Sequence, residues 1–304
     1  MYSKASLRFL LVVALTLNIF IVTAQEKKEY SALEDLVIAN LAYTNYGESE
    51  FSEGDQDGKV GFSELRFAFA LPKLLKNKKT ILIHGLEFTN LKPSFSELPN
   101  SSSIDRNFYS VAYRFSFINP IGEKGWNYNI GLKPTLASDF KESISSNDFI
   151  FQTSVLFSKR SSERFKYGFG VSYNTRFGKK QVLPIVQLIY RNDKWLTVAY
   201  LPAYLGHYYL FEKSRLGISL NLNGNNYNFD NNNTLPLDLD KLSYSRINLG
   251  PEYEFKLANK LKLNLNAGVT LANKLDWLNN DGDSELDLTP KNSVFFKFGL
   301  KYVK

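Results

Sequence analysis

The segment Glu53-Gly-Asp55-Gln-Asp57-Gly58-Lys-Val60-Gly-Phe-Ser-Glu64 has the spacing of a calcium loop. Acidic residues stand at positions 1, 3, 5 and 12, Gly at 6 and an aliphatic residue at 8. Such a loop needs a helix on each side. Here Leu65, Phe67, Phe69 and Leu71 alternate as a strand does, and Tyr43-Thr-Asn-Tyr-Gly47 is not helical. Position 1 is also Glu where Asp is expected. The segment reads as a solvated loop entering a strand. So does a second acidic run, Asp281, Asp283, Glu285 and Asp287. Calcium binding there stays open, and no metal ligands are assigned.

Histidine chemistry is equally thin. The chain has two His and no Cys, which excludes a multi-His or thiolate metal centre, a Cys nucleophile and a disulfide scaffold. A serine hydrolase needs Ser beside His, with a third polar group to orient the ring. His84 has Leu82 and Leu86 two places away, and His207 has Leu205 and Tyr209. A partner on a neighbouring strand is the one route left to such a relay. No catalytic or cofactor-binding residue is assigned, and each His is expected in an aromatic belt or at a pore mouth. Glu252 and Glu254 share a face, but Lys256 shares it too, which reads as a charged interior rather than an acid pair.

The elements that carry these residues are strands. Phe165, Tyr167, Phe169, Val171 and Tyr173 alternate with Lys166, Gly168, Gly170, Ser172 and Asn174. Leu216 to Leu222, Leu249 to Leu257 and Leu261 to Leu271 repeat the pattern, so one face is apolar and the other is Gly, Ser, Asn and charge. A soluble sandwich would bury the apolar face, whereas a membrane barrel turns it to lipid. Strand length favours the barrel, because crossing a bilayer takes about 9–11 residues and these runs reach that. The 24 Phe, 18 Tyr and 3 Trp suit aromatic girdles at both interfaces. The expected fold is all-β: an antiparallel transmembrane β-barrel of about 14 strands. Twelve is the alternative if the pair split at Leu201-Pro202-Ala203 is not a hairpin, since Pro is disfavoured inside a ladder. Long connections at 47–59, 92–105, 229–242 and 273–291 alternate with tight turns such as Asn192-Asp193. With an even strand count, both termini lie at the short-turn, periplasmic end.

The start of the chain reads as an export signal. Lys4 and Arg8 precede an apolar run from Phe9 to Val22, and Val22-Thr23-Ala24 offers a cleavage site. The expected organisation is a signal peptide at 1–24, a short periplasmic segment at 25–35 and the barrel at 36–304. Loss of Lys4 and Arg8 lowers the formal charge from +7 to +5, a mild excess that does not argue for nucleic acid. The last strand sets Val294, Phe296, Phe298, Leu300 and Tyr302 on one face, the aromatic pattern that barrel-assembly machinery reads. It ends on Lys304 rather than an aromatic residue.

The wording of several strands adds a resemblance. Leu136-Ala-Ser-Asp-Phe140 leads into Asp148-Phe-Ile-Phe-Gln152, and Tyr167-Gly-Phe-Gly170 into Thr175-Arg-Phe-Gly178 and Leu183-Pro-Ile185. Leu201-Pro-Ala203 and Leu222-Asn-Gly224-Asn225 follow. In this order they resemble a family of uncharacterised exported β-barrel proteins of Bacteroidota, known only as a domain of unknown function. The resemblance spans the chain from about residue 35 to its end. It implies an outer-membrane barrel in a Gram-negative cell and transfers no activity, ligand or site residue.

The polar face is therefore the candidate working surface. Its expected lumen-lining residues are Arg114, Lys133, Lys166, Arg176, Arg246, Glu252, Glu254 and Lys256, joined by Arg66, Lys262, Lys297, Lys301 and Glu64. A basic lumen favours anions, and small inward residues leave space. The leading expectation is a passive channel or binding barrel for small polar or anionic solutes, with no cofactor. The rivals are a closed structural or interaction barrel working through its outer loops, and a lipid-modifying enzyme. The expected partners are outer-membrane lipid, the assembly machinery and an unidentified small solute, with no nucleic acid.

Overall fold

A computed structural model describes residues 36–52, 57–77, 79–98, 104–229 and 239–304. The export signal, the segment at 25–35, and Glu53 and Asp55 lie outside these residues. Strands β1 (Val37–Glu50), β2 (Lys59–Leu74), β3 (Ile81–Ser96), β4 (Phe108–Ile121) and β5 (Trp126–Ser138) form one run of antiparallel neighbours. It continues through β6 (Phe149–Arg160), β7 (Phe165–Asn174), β8 (Gln181–Arg191), β9 (Trp195–Leu201), β10 (Tyr204–Leu210) and β11 (Ser214–Asn228). β12 (Lys241–Lys256), β13 (Leu261–Leu278) and β15 (Val294–Val303) complete the wall, and β15 pairs with both β13 and β1. The result is a closed antiparallel barrel of 14 strands, and β14 (Ser284–Asp287) is a short ribbon paired only with the loop end of β13. Leu201-Pro202-Ala203 is a turn between two real strands, closed by Ala203 N–H donating to the Tyr200 carbonyl at 2.8 Å.

The outer face is apolar around the circumference. Leu41, Phe67, Val111, Phe151, Phe169, Val186, Ile218, Val269 and Phe296 are all exposed. A soluble protein cannot leave a belt of that extent in water. Closure gives every wall strand a partner on both sides, as a backbone in hydrocarbon requires.

The barrel is not uniform along its length. β9 and β10 have seven residues each and stop below their neighbours, while β11 continues past its last β10 pair, Tyr204–Asn221. The turn at 175–180 fills the step. Asn226 Nδ2 and Ser243 Oγ both donate to the Gly178 carbonyl, at 3.3 and 2.6 Å, and Thr175 Oγ1 donates to Asn225 Oδ1 at 3.1 Å. At its tip β11 meets β5, pairing Asn228 with Ser138, so the long-loop end is a narrower ring than the body. A buried ion pair at that end, Arg106 Nη1 to Asp139 Oδ2 at 2.9 Å, sits with Arg106 over the Phe229 ring.

The inward glycines serve strand contact more than empty space. Gly250 and Gly268 face each other across β12 and β13. A Cβ on Gly250 would run into the Ala267 carbonyl, and one on Gly268 into the Leu249 carbonyl. Just above them β13 carries an extra residue, so that Ile247 pairs with Ala272 but Asn248 with Thr270. That bulge shifts the alternation by one and turns Leu275 and Trp277 inward.

Candidate functional site

The lumen has three levels. At the long-loop end the inward side chains are apolar. Val60, Phe62, Leu91, Phe108, Tyr227, Phe229, Leu242, Tyr244, Leu275, Trp277 and Phe295 form one buried cluster. Trp277 meets Phe229 edge-on with ring centres 4.8 Å apart, and Phe108 lies 5.8 Å from Trp277. Packing of this kind excludes water. The polar, small inner face expected from the sequence is therefore confined to the levels beneath. Arg246 marks the lower boundary of the cluster. Its guanidinium lies 4.0 Å from the centre of Phe62 and 4.2 Å from Tyr46, a stacked cation in an aromatic slot.

Below it the inward side chains are charged and keep accessible surface. Arg114 keeps 52% of its side-chain surface accessible, Arg66 38% and Lys133 35%, although strand alternation points all three inward. Inward side chains with that much free surface border room for water. Glu87 accepts from Lys133 at 2.5 Å and from Arg114 at 3.3 Å, and Arg66 lies 3.3 Å from Glu64. Arg176 comes from the 175–180 turn rather than from a strand, and donates to the Leu222 carbonyl at 3.4 Å. Beneath the cations Ser116, Gly131, Ser154 and Ser172 lie side by side across β4 to β7, a row of short side chains.

The third level is packed and charge-satisfied. Glu254 is met by Lys301 at 2.8 Å, Arg215 at 3.1 Å and Lys262 at 3.6 Å. Glu252 accepts from Tyr208 Oη at 2.9 Å and Asn264 Nδ2 at 2.8 Å, and Tyr204 bonds Tyr208 beside it. Both carboxylates are buried. This cluster ties β10, β11, β12, β13 and β15, consecutive strands of the wall, along one side of the interior.

The expected site residues thus separate. Arg114, Lys133 and Arg176 share the chamber, whereas Arg246 is stacked above it. Glu252 and Glu254 belong to the lower cluster. Lys166 opposes Arg160, and Lys256 opposes Lys262, so both sit at the short-turn rim. Sequence reasoning passed over Glu87, Arg215 and Tyr208. Arg215 stands out of phase with the apolar Leu216 and Ile218, which was a usable signal. Glu87 lay in a stretch apolar on both faces.

Both histidines lie on the lipid face near the short-turn end. His84 Nδ1 is 2.6 Å from Tyr113 Oη, with the Phe115 ring beside it. His207 stacks on Trp195 with ring centres 4.9 Å apart, and its Nδ1 is 2.8 Å from Thr197 Oγ1. The neighbouring strand thus supplies a hydroxyl to His207. Among the described residues no third polar group is hydrogen-bonded to that ring, so the oriented relay is incomplete. The calcium-like spacing is also undone by the fold. Glu64 sits within β2, bonded by Tyr244 Oη at 3.2 Å inside the barrel, and cannot return to the loop. Among the described residues no group of three or more acidic or His side chains is placed to hold a metal.

A family model described as a domain of unknown function, DUF6268, matches residues 22–303, and the chain belongs to that family. No curated protein matches it. Among solved structures, an outer membrane channel from Pseudomonas putida F1 is similar at 11% identity and a TM-score of 0.47, covering 91% of this chain and all of that one. The TodX monoaromatic hydrocarbon channel is similar at 8% identity and a TM-score of 0.43, covering 90% of this chain and 91% of that one. Outer membrane phospholipase A from Escherichia coli is similar at 12% identity and a TM-score of 0.32, covering 91% of this chain and 94% of that one.

Proposed function

We propose that this DUF6268 barrel sits in the outer membrane of a Gram-negative cell of the Bacteroidota type and takes small polar, preferentially anionic, solutes into its lumen. The observation that carries the reading is a set of inward cations with accessible surface beneath apolar packing that closes the long-loop end. A barrel so built binds solute, or passes it only when the packed end opens. It is not a permanently open pore. The export signal at 1–24 and the spacer at 25–35 are part of the same proposal, as are outer-membrane lipid and the assembly machinery as partners. The protein is not an enzyme on this reading. His84 and His207 are girdle residues, anchoring the belt through Tyr113 and Trp195.

Single-channel recording of the purified barrel in a planar bilayer tests this. The expected trace is closed, with rare openings that prefer anions under a salt gradient. Stable, long-lived open steps in the unaltered protein would reject a barrel closed at one end.

A further inference from the structure

We propose that the mid-barrel chamber is a binding site for one small oxyanion bearing two negative charges, seated beside Arg176 between Arg66 and the Arg114–Lys133 pair. The proposal deepens the solute-binding reading and rests on it.

Four cations, Arg66, Arg114, Lys133 and Arg176, converge from β2, β4, β5 and the 175–180 turn, and each lies within electrostatic reach of others in the set. Two carboxylates, Glu64 and Glu87, face them. Two positive charges are left over in an enclosed space, where like charges repel far more than in water. The lower cluster shows what a purely structural solution looks like in the same barrel. There Glu254 gathers three cations, with Glu252 alongside, and both carboxylates are buried. In the chamber the cations keep free surface instead.

Glu87 already occupies one oxyanion position, held between Lys133 and Arg114. Among the described residues the Arg176 guanidinium has no carboxylate partner, and its single hydrogen bond is a long one to the Leu222 carbonyl. Its planar fork suits two oxygens of a carboxylate or phosphate. The row of Ser116, Gly131, Ser154 and Ser172 leaves room beneath it for a compact ligand, with hydroxyls to meet further oxygens. The buried Thr135 and Ala112 limit height on the other side. A small doubly charged oxyanion fits these limits, whether its oxygens belong to two carboxylates or to one phosphate.

The test is calorimetric titration of the detergent-solubilised barrel with succinate and, separately, with inorganic phosphate, at constant ionic strength. Saturable binding of at least one is expected. Succinate alone would identify a dicarboxylate site, and phosphate alone a phosphate site. Affinity should fall at least about tenfold in Arg176→Gln, the loss of one charge-assisted contact. It should recover in part in Arg176→Lys and stay unchanged in Lys179→Gln on the same exposed turn. Arg114→Gln provides a second reading if Arg176→Gln does not fold, judged by heat-modifiable migration. Absence of binding for both probes would overturn the proposal, as would Arg176→Gln and Arg114→Gln variants that bind like the parent. Those results with a closed conductance trace reject the dianion site alone. Those results with an open trace that shows no anion preference reject the solute-binding reading as well.

Discussion

A chain lacking residues 294–304 will not form a heat-modifiable barrel. β15 supplies two seams at once: its residues pair with β1 from Val37–Val303 to Tyr46–Phe295, and with β13 from Leu261–Tyr302 to Val269–Val294. Its loss leaves two long edges of unpaired backbone groups. In hydrocarbon each such group costs several kcal/mol, so the total far exceeds the net stability of a folded domain. The edges cannot simply be joined to each other. β1 and β13 both run from the short-turn end to the long-loop end, so they would meet as parallel strands in an otherwise antiparallel wall. Phe295 also leaves the apolar cluster. Electrophoresis with and without boiling reads the outcome. The truncated chain should migrate identically in both, and a fast-migrating unboiled band would contradict the assigned closure.

The second large effect is on the packed end. Phe108→Ala with Trp277→Ala should leave the barrel folded but convert its closed trace into frequent, anion-preferring openings. Both side chains are fully buried and in contact. Large-to-alanine changes in packed cores cost about 3–5 kcal/mol each, and for touching residues the two costs do not simply add. The wall survives because its hydrogen-bonded seams do not depend on these side chains. Phe296→Ala on the exposed outer face removes a similar ring without touching the cluster, so its trace should match the parent. A double variant that stays closed would show that the apolar cluster is not what blocks the bore.

Much of the wall was legible in the sequence because lipid and lumen impose a strict period of two. Pro202 was correctly placed between two strands rather than inside one. The strand ends were less legible. β3, β12 and β13 run further into the long-loop region than alternation indicated, since inward positions there are apolar as well. Leu242 and Tyr244 face inward, yet read like lipid-facing residues, while Arg246 two places on reads as lumen. In β13 the bulge near Leu271 reverses the phase, and no local residue type announces it. The chamber was partly legible. Arg114 and Lys133 follow from parity, but their shared partner Glu87 does not, because the opposite face of β3 is itself mixed, with His84 beside Leu86 and Phe88. Arg176 reads as the end of a strand. Its actual place in a turn that folds over the short β9–β10 hairpin depends on the mismatch in strand lengths, which is a property of the assembled barrel.

Thiol labelling tests most directly whether a water-accessible, cation-rich chamber lies beneath a dry apolar end. The chain has no Cys, so a single introduced thiol reports without background. In the folded barrel, Ser116→Cys should react with methanethiosulfonate reagents. The anionic sulfonatoethyl form should react faster than the cationic trimethylammonium form, each normalised to a free thiol. Val60→Cys, within the apolar cluster, should stay unreactive until the barrel is unfolded. An unreactive Ser116→Cys, a preference for the cationic reagent, or equal labelling at Val60→Cys would contradict the account.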